Sequence, residues 1–433
     1  MQEMTKFQSG LLGRHLKLIA YSEAKEKIMR EISGSISSYE IVPTNQALGR
    51  ICLKVVKARN NIPKRSVSAM DGYAILSSMT KNATPTRPAS FRVESSIYPE
   101  TTSKKIAIKP SETCYVATGS HIPRGSDSVV RVEQVRIHQD SITVPREVVR
   151  GANIEEEGSD VREGQVVAIK GDILSPAKIA LLISAGIKQV KVGKVPLVGI
   201  LSIGNELRTF EEQSSQKKIN NYADLVAGFL VEFGAKPVKV GISKDDPSEI
   251  NNAILKNISR FDMMVTIGGS SVGERDFTVE ALSKITNSKL LFHGLRIVPI
   301  RPAGLALIRK KPVVILPGNA VSVALSFFLV VLPVLNSIQM LTLDARQPAV
   351  VASSMNEFSN DRAMDALYLV SLVMKRDGYH ANPLRWGSNL ALDLARANGF
   401  VRLSSKQTVK ENEKITVSLF GNSEFSRIPK ELV

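Results

Sequence analysis

The chain has 433 residues, more than one core usually serves, so two to four domains are expected. Two cysteines, Cys52 and Cys114, argue against a disulfide framework and fit a reducing compartment, while a formal net charge of +16 suits a polyanionic substrate. Nucleic acid is the other reading of that charge, but the lysines and arginines are scattered. Aromatic residues, at 5%, are not interleaved with them as single-strand binding requires, so no nucleic-acid partner is expected.

Taken in chain order, the first 29 residues hold no uninterrupted apolar stretch before charges intervene, so no secretory signal is expected. Residues 21–36 (YSEAKEKIMREISGSI) have helical spacing with a charged opposite face, and a second short helix is expected around 44–49. From 65 to 149 the texture changes to β-branched runs punctuated by Pro, Gly and Ser, which predicts a β-rich domain. Residues 151–186 return to short strands and a helix opened by Ser175 and Pro176, a cap and first-turn pair. The β-rich part therefore reads as an insertion. Strands and helices alternate from 195 to about 335, as in a doubly wound sheet, and the chain becomes strand-rich again after 342, with a hairpin in 367–385 and a terminal strand in KITVSLF.

The expected fold is multidomain α/β. It has a discontinuous, elongated N-terminal dimerisation domain (1–62 and 150–192), an inserted β-rich domain (63–149), an α/β domain (193–340) and a C-terminal β domain (341–433). The most apolar segment, 321–334, is too short to span a bilayer and contains Ser322, Ser326 and Pro333, so a soluble, cytoplasmic protein without a membrane partner is expected.

The chemistry concentrates in three apolar runs, each ending in a glycine turn followed by hydroxyl, amide or carboxylate side chains: LVGILSIGNE at 197–206, MMVTIGGSSVGERD at 263–276 and VVILPGNAVS at 313–322. Nearly continuous apolar runs suit strands of a parallel sheet, whose carboxyl ends are where such sheets bind ligands. Gly268 and Gly269 permit close backbone approach, Ser270 and Ser271 offer hydroxyls, and Asp276 could hold a metal bound to phosphate or simply sit in the first turn of a helix. In the third run Pro317, Gly318, Asn319 and Ser322 open a helix over 320–332, an anion site by geometry unless Asn319 is an ordinary cap. Ser202, Gly204 and Glu206 form the third tip. Together they predict a composite pocket for a phosphorylated ligand. Four of the five histidines, His15, His121, His138 and His380, lack ligand spacing, so zinc is not expected; His293 reads as a packed, hydrogen-bonded residue and Trp386 as a core anchor of the last domain.

With SAMDGYAI at 68–75, ATGSHIPRGSDSVVRVE at 117–133 and EEEGSDV at 155–161, these motifs resemble the molybdopterin molybdotransferase family, the MoeA-type proteins that include the gephyrin E domain. The likeness runs from about residue 15 to the end in family order, and includes S-x-G-x-E-L, G-G-x-S-V-G, L-P-G and G-S-x-x-L-x-x-L-A-x-A-N. It implies a homodimer whose third domain has the molybdopterin-binding α/β fold. The implied activity inserts molybdate or tungstate into adenylylated molybdopterin, releases AMP and needs a divalent metal, Mg2+. By the same resemblance Asp71, Thr118 and Asp160 face the cleft, Glu206 and Asp276 serve metal and nucleotide cleavage, and Ser322, Arg362 and Ser388 line the oxyanion end. Gly273 and Arg296 lie in matched motifs as substrate contacts, and a molybdopterin adenylyltransferase-type protein is the implied donor.

The pattern breaks where the family has K-P-G-K-P. Val298 stands for the first lysine, Ile300 for the glycine and Arg301 for the second lysine, leaving Arg301 as the loop's catalytic cation. Ala320 replaces a proline, Asn205 an aspartate, Asn220 and Asn221 stand where the family has an acid-Ser-Asn run, and Leu392 and Asp393 fall where it often has serines. An active enzyme is the favoured reading. The alternative is a catalytically weak paralog that binds or carries molybdopterin, or acts as a scaffold.

Overall fold

The computed structural model describes residues 17–32, 38–101, 106–212, 216–270 and 276–429. It contains two compact units, residues 40–192 and residues 1–39 with 193–433.

In the 40–192 unit, six strands form one sheet in the order Ser128–Arg131, Gly72–Ile75, Glu112–Val116, Ala89–Ile97, Ser141–Val144, Arg136–Ile137. Gly72–Ile75 is buried along its whole length. Its period of two sends Tyr73 and Ile75 to a core with Phe91, Val130 and Ile142, and Ala74 to an opposite core with Ile97, Cys114 and Val129. The remainder of this unit packs Cys52, Leu174, Leu182 and Val192 around the helix Pro176–Ser184, whose cap Ser175 accepts from the Lys178 N–H at 3.3 Å. Both cysteines are buried and free. The helix expected at 44–49 is only a 3₁₀ turn, Thr44–Gln46, because Gly49 takes a φ of +72° that a helix cannot continue through.

The second unit is built on a six-stranded sheet in the order Lys236–Ser243, Leu197–Ile203, Met263–Gly268, Lys311–Leu316, Gly304–Ile308, Ser288–His293. The first four strands are parallel; Gly304–Ile308 runs against both its neighbours, so Ser288–His293 points the same way as the parallel four. Five strands thus end on one edge, at Ile203, Ser243, Gly268, His293 and Leu316. Alternate residues feed two cores. Met263, Val265 and Ile267 face one side, whereas Met264, Val313 and Ile315 face the other with Ile250, Ile254 and Leu282.

The first core is filled by the helical segment Ala320–Ile338, 19 residues that are long and apolar enough to cross a membrane yet wholly buried inside the protein. This helix continues past the expected end at 332. Pro333 lacks an N–H, and the chain accommodates it by widening to a π turn at Phe327–Val331 before resuming at Leu332–Ile338. The helix Tyr21–Ile32 packs against the same core through Ala24, Ile28 and Ile32, one face at i, i+4 and i+8. Its packing groups it with the parallel sheet rather than with residues 40–62; the expected extension to 36 lies outside the described residues.

The same unit holds a barrel in which Asp365–Lys375, Gly378–Pro383, Ala349–Ser354, Lys414–Leu419 and Gly399–Leu403 follow one another, and the last pairs back with the first. The hairpin and terminal strand read from sequence are both present.

Candidate active site

The carboxyl edge of the parallel sheet encloses a cavity of about 290 Å³ lined by Glu206, Asn220, Asp245, Gly268, Gly269, Ser270, Gly318 and Asn319, with Asn389 and Tyr222 at its wall. The three glycine tips predicted from sequence therefore converge. Gly268 and Gly269 have φ of +88° and +64°; a Cβ on Gly268 would lie 2.3 Å from the Ile203 carbonyl oxygen, and one on Gly269 would lie 2.6 Å from Ile203 Cγ2. Only glycine lets this tip lie so close to the neighbouring strand end.

Each predicted side chain has a definite place. Ser202 is 1% exposed and its hydroxyl donates to Asn220 Oδ1 at 2.8 Å, so it positions the Asn220 amide rather than meeting a ligand. Glu206 is exposed beside Gly204 and lines the cavity. Asn319 makes no side-chain cap bond, which frees its amide for the cavity. Pro317 is buried beneath it. One leading N–H of the following helix, that of Val321, is taken by the Ser388 carbonyl at 3.0 Å, which brings Ser388 and Asn389 of the C-terminal region to the pocket wall.

Ser322 departs from expectation. It is 1% exposed and its hydroxyl donates to the Pro299 carbonyl at 2.9 Å, so it braces a loop instead of lining an oxyanion site. Asp276 departs likewise. Its Oδ1 accepts the Val279 N–H at 2.9 Å as a helix cap, and its Oδ2 lies 3.0 Å from His293 Nε2 and 2.9 Å from the Ser270 hydroxyl. Both oxygens are engaged, and Asp276 is not among the cavity-lining residues. His293 has the packed, hydrogen-bonded role read from sequence. Ser271 and Gly273 lie outside the described residues.

The altered basic loop is held at two points. Ser270 Oγ approaches the Pro302 carbonyl at 3.3 Å, and Ser322 holds Pro299. Ile300 is fully buried and Ile297–Val298 pairs with Asp365–Ala366 of the barrel, so valine and isoleucine serve packing here. Arg301 stands between the braces with its Nε buried and without a hydrogen-bond partner. Arg296 is exposed.

Asn205 and Asp245 exchange hydrogen bonds: the Asn205 N–H donates to Asp245 Oδ2 at 3.0 Å and the Asp245 N–H to Asn205 Oδ1 at 3.3 Å. The acid missing at 205 is thus answered by the Asp245 carboxylate at the same corner. Sequence reasoning missed Asp245, although its position just beyond Ser243, a fourth strand tip before the Asp246–Pro247 helix start, is the same signal read elsewhere. Asp393 does not add charge to the site. It is 5% exposed and bonded by Arg385 at 2.9 Å. Trp386 is no core anchor; it is 38% exposed, and the Arg362 guanidinium stacks on its ring.

In the 40–192 unit, Asp71 and Thr118 line a separate cavity of about 430 Å³ together with Arg131, Glu133 and Gln134. Asp71 Oδ1 accepts the Thr118 N–H and hydroxyl, both at 2.7 Å, and these bonds, the backbone one first, hold its carboxyl below the usual aspartate range. Asp160 is exposed and does not line that cavity.

The strand-tip pocket presents hard oxygen donors, namely two carboxylates, amide oxygens and the Ser270 and Tyr222 hydroxyls, together with Lys218, and among the described residues no histidine or cysteine lines it. Among the described residues there is no cluster of three or more His, Cys, Asp or Glu able to cage a metal. Two carboxylates fit a magnesium-type ion completed by water and phosphate, not a structural zinc.

A parallel sheet with a glycine-lined pocket at its carboxyl edge and a β barrel thus occur in one unit. Residues 19–186 match the model described as MoeA N-terminal region (domain I and II), and residues 199–337 match "Probable molybdopterin binding domain". A Methanocaldococcus jannaschii protein named for molybdopterin biosynthesis is 32% identical over 65% of this chain and 70% of its own length. The molybdopterin molybdenumtransferase of a Nostoc species is 28% identical over 85% of this chain and 86% of its own. The crystal structure of a Pyrococcus horikoshii molybdopterin biosynthesis MoeA protein superposes with a TM-score of 0.80 at 27% identity, covering 93% of this chain and all of the other. The chain belongs to the MoeA family.

Proposed function

We propose that this protein is a molybdopterin molybdotransferase of molybdenum cofactor biosynthesis, which inserts molybdate or tungstate into adenylylated molybdopterin and releases AMP. The observation that carries the reading is the strand-tip pocket, which Glu206 and Asp245 line together with glycine-opened backbone and the free Asn319 amide. Splitting a phosphoanhydride while an oxyanion arrives gathers several negative groups, and the protein must offset that charge. Glu206 and Asp245 would hold Mg2+, which supplies charge neutralisation at the phosphoanhydride when bound. Asp276, tied to His293 and a helix start, shapes the wall behind Ser270. Arg301 offers an enclosed, unpartnered guanidinium donor to the nucleotide phosphate, and Arg362 receives the oxyanion.

Asp71, Thr118 and Asp160 would reach the same site from the second subunit of a homodimer, with the four-domain division read from sequence except that the helix Tyr21–Ile32 packs with the parallel sheet. A molybdopterin adenylyltransferase-type donor would deliver the substrate in the cytoplasm. The test is AMP release from adenylylated molybdopterin: the reading expects it only when molybdate and Mg2+ are both supplied. Binding without release would favour a carrier, whereas the absence of both binding and release would refute a role for this pocket and favour a scaffold.

A further inference from the structure

We infer that Trp386 is the positioning residue that holds Arg362 ready for an incoming tetrahedral oxyanion, an inference that rests on the functional reading above. The Arg362 guanidinium carbon lies 3.6 Å from the Trp386 ring centroid, the separation of two planes in stacking contact. Its Nη1 donates to the Tyr368 hydroxyl at 3.2 Å, and that hydroxyl spends its own proton on the Ser359 carbonyl at 2.7 Å, so a lone pair faces the arginine.

The backbone beneath is equally fixed. Asn360 is fully buried and accepts the Arg362 N–H at 3.2 Å, while the Ser405 hydroxyl donates to the Arg362 carbonyl at 2.9 Å. Among the described residues no carboxylate pairs with Arg362. The acids on either side are engaged elsewhere, Asp361 with Ser359 and Asp365 with Arg402. A cation that is ordered at head and backbone, partly open to solvent and uncompensated is pre-organised for an anion.

Trp386 provides one of the two contacts that fix the head, and its sequence position ties it to the pocket. Ser388, two residues on, gives its carbonyl to Val321, and Asn389 lines the cavity. The indole is 38% exposed, so burial does not explain its placement. A flat π face on which a guanidinium can rest without losing its donors does.

Trp386 is the only tryptophan in the chain, so its fluorescence reports on this stack without labelling. The experiment titrates the full-length protein with sodium molybdate alone, following tryptophan emission and, in parallel, retention of molybdate by equilibrium dialysis. Saturable binding is expected, with an emission change of the same midpoint. Trp386→Leu should weaken binding about tenfold, and Trp386→Phe, which keeps a π face, should recover most of it. Arg362→Ala should abolish the emission response while leaving the tryptophan and the circular dichroism spectrum in place. Wild-type retention of molybdate with a silent tryptophan, or equal affinity in Trp386→Leu, overturns the positioning role while the functional reading stands. Failure of the wild type to retain molybdate at all overturns the positioning role, and the functional reading falls with it only if AMP release is absent too.

Discussion

Replacing Arg301 with methionine separates a binding role from a structural one, because the two give opposite signs. Methionine keeps most of the aliphatic stem and removes the guanidinium. In the free protein, the buried Arg301 Nε has no partner, and a buried unsatisfied donor costs about 1–3 kcal/mol. Removing it should therefore leave stability unchanged or raise it by about 1 kcal/mol, read as the urea midpoint at constant slope. Function should move the other way. A charged hydrogen bond to an anion is worth about 1.5–3 kcal/mol, so kcat/KM for AMP release should fall roughly ten- to hundredfold. A variant that loses stability yet keeps its turnover would show that the guanidinium holds the loop and not the substrate.

Gly269→Ala should destabilise the protein by about 2–5 kcal/mol, combining left-handed backbone strain with overpacking against Ile203, and a wild-type unfolding curve would contradict the tight strand tip. Asp245→Asn should raise the Mg2+ concentration needed for half-maximal AMP release about tenfold while leaving the unfolding midpoint near its wild-type value; an unchanged Mg2+ requirement would remove Asp245 from the metal site. The Asp71 carboxyl is held below the ordinary aspartate value when folded, so its contribution to stability is present above the unfolded pKa and is lost as pH falls through the lower folded one. Thr118→Val deletes only the side-chain bond and leaves the larger backbone cause; the folded pKa should rise partway toward the ordinary value in an NMR titration, and no rise would show that the hydroxyl contributes nothing.

Much of this was readable from the chain because the physics there is local. The Leu197–Ile203, Met263–Gly268 and Lys311–Leu316 strands declared themselves as apolar runs closed by glycine, and the convergence of their tips follows from parallel pairing. The Pro176–Ser184 helix was legible from its cap alone. What the sequence withheld is set by distant contacts. Ser322 looks like an anion ligand until Pro299 is found at its hydroxyl, and Asp276 looks free until His293 and the Val279 N–H occupy it. Asp245 was hidden because Lys236–Ser243 is an edge strand with a mixed, half-exposed pattern instead of a continuous apolar run. As the sole tryptophan, Trp386 reads as a core anchor, and only the arginine above it explains its exposure. The Ala320–Ile338 helix outran its expected end because a π turn absorbs the proline that should have stopped it.

On the proposed function, the carboxyl edge of the parallel sheet grips the phosphate of the adenylylated substrate. A crystal structure with AMP and Mg2+ tests it most directly. The phosphate is expected beside Gly268, Gly269 and Asn319, with the cation on Glu206 and Asp245. A nucleotide seated elsewhere, with that edge holding only water, would contradict it.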